Sequence, residues 1–175
     1  MNPDASPIRA VYPAVTQPHP EAIVVYCSDP RFQIAFEQFV ARELDLERGQ
    51  YFPLVVGGGA GVLAHPEQFP KEFKFMRERL ELYRSWFPSI RRIVLINHED
   101  CRYYGVLKRK LGGLLGGRLR LGSEQAHDDL RLVASVFGRL LHHLGVEIEL
   151  YYARFADETQ QAIVFEPWVR GSIRG

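Results

Sequence analysis

Two short clusters hold the residue types from which a metal centre can be built: Cys27-Ser28-Asp29-Pro30-Arg31 and His98-Glu99-Asp100-Cys101. A thiolate and an imidazole three residues apart can reach one ion together, and Cys27 would join them from another part of the fold. Two thiolates and one imidazole suit zinc, and three protein ligands leave a fourth tetrahedral position open, as a catalytic site requires. A closed structural site would want a fourth Cys or His nearby, and the chain contains only 2 cysteines. Zinc held this way lowers the pKa of its water to about 7 and supplies hydroxide at neutral pH. Taken alone, HxxC reads more simply as small buried hydrophobes. CxDxR together with HxxC favours the metal.

Asp29 and Arg31 have a use in such a setting. Arg31 can hold Asp29 ionised, and Asp29 can accept the hydrogen bond of a zinc-bound hydroxide. Asp29 could instead turn onto the metal and close the site. Without a metal, the two would be a surface pair of little worth.

The elements around these clusters place them consistently. Ala22 to Tyr26 is an apolar run that reads as a buried strand ending at Cys27, followed by a turn at Ser28-Asp29-Pro30. Arg31 to Arg48 carries Phe32, Ala35, Phe36, Phe39, Val40 and Leu44 at helical spacing and closes at Gly49. Tyr51 to Val56 reads as a second strand, running into Gly57-Gly58-Gly59-Ala60-Gly61. Glu67 to Phe87 is an amphipathic helix, and Arg92 to Asn97 is a third strand delivering His98 at its end. Ser123 to Leu144 reads as a long helix with Ser123 as N-cap, and Val146 to Ala153 as a fourth strand. Ala162 to Phe165 is expected to return as a short edge strand after the turn at Asp157-Glu158-Thr159.

This alternation predicts a three-layer α/β domain. Its central sheet is mainly parallel, about four parallel strands plus a short antiparallel edge strand, with helices on both faces. Ligands of such sheets sit beyond the carboxyl ends of the strands, where Cys27 and His98 fall.

The clusters CSDPR and HEDC, on this order of strands and helices, resemble the β-class carbonic anhydrases, whose pattern is usually CxDSR with HxxC. The resemblance spans about Ala22 to Phe165. It implies one Zn2+ per chain held by Cys27, His98 and Cys101, an Asp29–Arg31 dyad, and reversible hydration of carbon dioxide to bicarbonate. It also implies a homodimer or higher homo-oligomer. Three positions depart from the pattern: Pro30 replaces the usual Ser, Arg102 follows Cys101 where Gly is general, and Asn97 precedes His98 where Gly is common. They leave two alternatives open, a zinc protein without hydratase activity and a hydrolase of a carbon dioxide analogue such as CS2 or COS.

Lesser candidates surround the two clusters. Gly58 and Gly59 could bring backbone N–H groups to an anion such as bicarbonate, or simply make a tight turn near the metal loop. The loop is not a dinucleotide fingerprint, since it lacks the GxGxxG spacing. His65 is either a proton shuttle or a surface residue. Asp100 could orient a ligand or stand as an exposed carboxylate at a helix start. Phe32, Phe36, Phe39 and Tyr51 line a cleft or fill the core. His142 and His143 receive no role. Lys108 to Leu121 reads as a solvated helix end and loop.

Bulk properties exclude several other classes. The 175 residues suit one domain, here 22–175, after an extended arm at 1–21 that lies on a neighbouring subunit or forms a disordered leader. A net charge of +1 argues against nucleic acid as a partner. No apolar run approaches the ~20 residues of a membrane span, and the first residues lack a signal peptide's layout. A cytoplasmic protein with reduced thiols is expected.

Overall fold

The computed structural model describes residues 11–106 and 123–169. Along it run β1 (Ala22–Cys27), α1 (Gln33–Arg42), β2 (Tyr51–Val56), a 3₁₀ turn (Gly59–Leu63), α2 (Pro70–Trp86) and β3 (Arg92–His98). Then come α3 (Ser123–Val136), a π-helical turn (Phe137–Leu141), a 3₁₀ turn (His142–Leu144), β4 (Glu147–Phe155) and β5 (Ile163–Val169). The sheet order is β2-β1-β3-β4-β5. The first four strands are parallel, and β5 pairs antiparallel with β4.

Hydrophobic patterning explains this order. All of β1 is buried, and so is every residue of β3 after Arg92, as uninterrupted apolar runs require when both sheet faces are covered. β2 alternates burial and carries Pro53, which has no N–H to donate, so it belongs at an edge. β5 carries Pro167 at the opposite edge.

Right-handed crossovers fix the helices. The step from β1 to β2 runs one way across the sheet, while β2 to β3 and β3 to β4 run the other. α1 therefore covers one face, and α2 and α3 cover the other. Ring contacts follow suit: α1 packs Phe36 on Tyr26 (centroids 5.0 Å apart) and Phe39 on Phe165 (4.1 Å). The chain thus leaves β1 and β3, neighbours in the sheet, for opposite faces. A crevice opens between their carboxyl ends, where such sheets bind ligands.

Several boundaries differ from the sequence reading. The first helix ends at Arg42 rather than Arg48. The N–H groups of Glu43 and Leu44 both bond to the Phe39 carbonyl, Asp45 takes φ 53°, and Leu44 and Leu46 turn inward into the core. Leu44 has helical spacing yet is buried by this turn. α2 begins at Pro70, suited to the first turn because it has no N–H to leave unpaired. The long helix gives way to the π turn at Phe137, and β5 reaches Val169, well past the short strand expected. The stretch Lys108 to Leu121 and the side chain of Ser123 lie outside the described residues.

Residues 11–19 are exposed and belong to no helix or strand. Among the described residues, no helix is long and apolar enough to cross a membrane.

Candidate metal centre

β1 and β3 deliver Cys27 and His98 as their last residues, and the chain turns back after β3 to bring in Cys101. The ligand atoms of these three buried residues all lie within 4.8 Å of one another. The two sulfurs are 3.7 Å apart. Each partner has a local support. The Gly58 N–H points at Cys27 Sγ (3.4 Å). His98 Nδ1 lies 2.7 Å from the Glu99 carbonyl, so it carries the proton as donor. That tautomer leaves Nε2 with a lone pair, and Nε2 is buried without a hydrogen-bond partner. A buried imidazole nitrogen facing two thiols without a donor is what a metal ligand looks like.

The thiols answer to one another. The Cys101 hydrogen bond lowers Cys27 despite burial, with help from His98 and the Gly58 N–H. The same shared proton raises Cys101, reinforced by burial and by the charge on Cys27. The two sulfurs are thus close enough to share one hydrogen bond, and a divalent cation between them would bind both as thiolates.

The turn after β1 carries the Asp29–Arg31 ion pair. The Phe32 N–H bonds to the Asp29 carbonyl (3.1 Å), closing a β-turn with Asp29 first and Pro30 second, positions these residues favour. The Arg31 N–H donates to Asp29 Oδ1 (3.0 Å). Pro30 therefore stiffens the turn into the shape the pair needs. Arg31 grips Asp29 bidentately, Nε to Oδ1 at 3.1 Å and Nη2 to Oδ2 at 2.8 Å. These bonds hold the Asp29 carboxyl below the usual carboxylate range even though its side chain is only 7% exposed. Nη1 of Arg31 reaches Asp100 Oδ2 (2.7 Å), and Nη2 reaches the Asp100 carbonyl (2.9 Å). Gln33 donates to the carbonyls of Cys27 (2.8 Å) and Asp29 (3.0 Å), fixing the turn to the start of α1.

A cleft of ≈ 420 Å³ opens over the centre, lined by Cys27, Asp29, Arg31, Gly58, Cys101 and Tyr103 among others. Arg102 is exposed at its rim. Gly58 has φ 94°, and a Cβ there would strike the Tyr103 ring at 2.6 Å. Gly59 has φ 51° and is buried, with its Cβ position 2.8 Å from the Ile96 carbonyl oxygen. Both glycines thus make the tight turn beside the metal loop; Gly58 faces the cleft, and its N–H is directed to sulfur.

Behind the centre runs a polar chain that the sequence reading did not find. Asn97 is fully buried; it donates to Tyr104 Oη and to the Ala126 carbonyl, both at 2.7 Å, and accepts the His98 N–H at 3.2 Å. Tyr104 hydrogen-bonds Asp129, and burial followed by Asp129 raises its pKa well above the ordinary value, so it serves as donor. Asp129, fully buried, also meets His65 Nε2 at 3.1 Å. Sequence signals existed: Asn97 interrupts an apolar strand, and Asp129 lies on the stripe of α3 that buries Ala126, Leu130 and Val133. His65 is tied to this chain rather than standing as a surface residue. Phe32 and Phe36 are fully buried against His98 (centroids 4.3 and 6.1 Å), so they belong to the core. His143 pairs with Glu81 at 3.2 Å.

Comparison with solved structures finds the same architecture. A β-carbonic anhydrase, isoform I from the protozoan Trichomonas vaginalis, superposes with a TM-score of 0.56 over 93% of this chain and 89% of that one, at 13% identity. The fold is that of the β-carbonic anhydrases. A chain from the crystal structures of two tetrameric β-carbonic anhydrases of the filamentous ascomycete Sordaria macrospora gives 0.50, with 86% of this chain and 81% of that one covered at 12% identity. No protein-family model matches the sequence, and neither does any curated protein. At such identities the β-carbonic anhydrase likeness establishes architecture, and the chemistry rests on the residues of the centre.

Proposed function

We propose that this chain is a zinc lyase interconverting carbon dioxide and bicarbonate. The observation that carries the reading is the buried Cys27–His98–Cys101 cluster, with a donorless His98 Nε2 aimed among two thiols. The donor set, two sulfurs and one imidazole, fits zinc better than harder cations. Bound there, zinc would act as a Lewis acid that activates water at neutral pH.

The chain's own residues supply the rest. Asp29, held as a carboxylate by Arg31, offers acceptor capacity at Oδ2 in the cleft that it lines, which orients a water or the acid form of the product. Arg31 keeps that oxygen in place and limits proton uptake by Asp29. Gly58 stabilises negative charge on Cys27 Sγ, and its missing side chain keeps the cleft floor open beside Tyr103. Water enters and bicarbonate leaves through the cleft.

We further assign the chain to a homo-oligomer, by analogy with the tetrameric Sordaria enzymes. The exposed Val11, Tyr12 and Ile34 support this reading, with the exposed segment 11–19 available to a neighbouring subunit. A reducing compartment such as the cytoplasm suits two free thiols 3.7 Å apart. Stopped-flow hydration of carbon dioxide with a pH indicator tests the activity. Zinc-replete, folded protein should exceed the buffer rate, and a rate equal to buffer would refute the proposal.

A further inference from the structure

Asp100 is the third residue of HEDC, and neither its backbone nor its partners are those of an idle surface carboxylate. Its φ is 51°, the left-handed region that side-chain-bearing residues other than Asn and Asp seldom adopt. In that conformation both its carboxylate and its carbonyl face one group, the Arg31 guanidinium, at 2.7 and 2.9 Å. Its side chain is 67% exposed, so burial does not put it there.

Arg31 therefore bridges two loops. Nε and one N–H of Nη2 hold Asp29 after β1, while Nη1 and the other N–H of Nη2 hold Asp100 after β3. The guanidinium also lies over the rings of Phe32 and Phe155, 5.9 and 5.7 Å from their centroids. A long Arg side chain loses considerable rotamer freedom when fixed, and a partly exposed ion pair alone offsets little of that cost. Two further bonds to a second loop change the balance. They make the guanidinium part of the scaffold, so the arm that holds Asp29 cannot swing into solvent.

What Arg31 restrains is a carboxylate two residues from Cys27, lining the same cleft. Released from Arg31, Asp29 would be a carboxylate free to turn, within that cleft, toward a cation held by Cys27, His98 and Cys101. We propose that Asp100 is a positioning residue: it anchors Arg31 across the cleft and thereby keeps Asp29 on the guanidinium and off the metal's fourth position. The inference rests on the reading of the centre as a metal site, and it assigns to HEDC a role beyond supplying two ligands.

The test uses full-length protein loaded with cobalt(II), whose visible spectrum reports its ligands, and azide as the competing anion. Metal content is measured first; failure to bind any metal would refute the metal reading itself and is seen before the Asp100 comparison begins. With metal bound, Asp100→Gly, which relaxes the positive φ, and Asp100→Ala should each shift the cobalt spectrum. They should also weaken azide binding about tenfold, because only the fraction of molecules with an open position can bind. Adding Asp29→Asn to Asp100→Gly should restore azide affinity to within about twofold of wild type. Unchanged azide affinity in both single variants would overturn the proposal. So would a loss that Asp29→Asn fails to restore, which would mark loop collapse rather than closure by Asp29. An unfolded Asp100→Gly protein would make Asp100 structural and overturn it as well.

Discussion

The Cys27 and Cys101 sulfurs lie 3.7 Å apart, and His98 Nε2 is buried beside them without a hydrogen-bond partner, so the three residues form one compact cluster. Replacing Cys27 with Ser keeps the volume and removes the soft ligand. Bound zinc, measured after dialysis, should fall from one per chain to near zero, a loss exceeding the about 10- to 100-fold typical of residues behind the ligands. Arg31→Lys keeps the charge and loses the planar fork that grips both Asp29 and Asp100. It should retain zinc and lower the hydration rate by about 10- to 100-fold. A variant with the wild-type rate would remove Arg31 from the mechanism. The clustering of Cys27, His98 and Cys101 was legible in the sequence because their types are rare and both motifs follow strands. The target of Asp100 was not, because it depends on a left-handed φ and on a guanidinium 69 residues away.

The turns, more than the strands, decide whether the centre forms. Gly59 approaches the β1 and β3 backbones so closely that a Cβ would meet the Ile96 carbonyl at 2.8 Å and the Cys27 nitrogen at 3.0 Å, at φ 51°. Gly59→Ala should destabilise the fold by more than about 1 kcal/mol in urea denaturation. Gly105→Ala, where a Cβ meets nothing within 4 Å, should stay within about 0.5 kcal/mol. Removing the Asp129 carboxylate leaves Tyr104 and His65 short of a buried partner, at a cost of about 1–3 kcal/mol read by the same method. Periodicity located every strand among the described residues, since β1 and β3 are unbroken apolar runs and β4 is long. It overextended α1, because Leu44 sits at helical spacing yet reaches the core through the turn at Asp45. It also could not anticipate the π turn at Phe137, which leaves the hydrophobic spacing of a helix nearly intact.

For the whole molecule, the sheet order matters most: the crossovers from β1 and β3 diverge to opposite faces and leave a crevice where Cys27, from the end of β1, meets His98 and Cys101, from the end of β3. A metal bound there ties the loops after β1 and β3 together and, binding the folded chain alone, must stabilise it. Thermal unfolding should move up by several degrees with zinc at 100 times its Kd, about 2.7 kcal/mol, and back down with a chelator. A midpoint indifferent to both would contradict this linkage. The most direct test of the centre is X-ray absorption on the purified zinc protein under reducing conditions. The proposed zinc site predicts one zinc per chain with two sulfur scatterers at about 2.3 Å and two light scatterers near 2.0–2.1 Å, one of them an imidazole nitrogen. Folded, reduced protein that holds no zinc, or holds it without sulfur, would contradict the assignment of Cys27, His98 and Cys101.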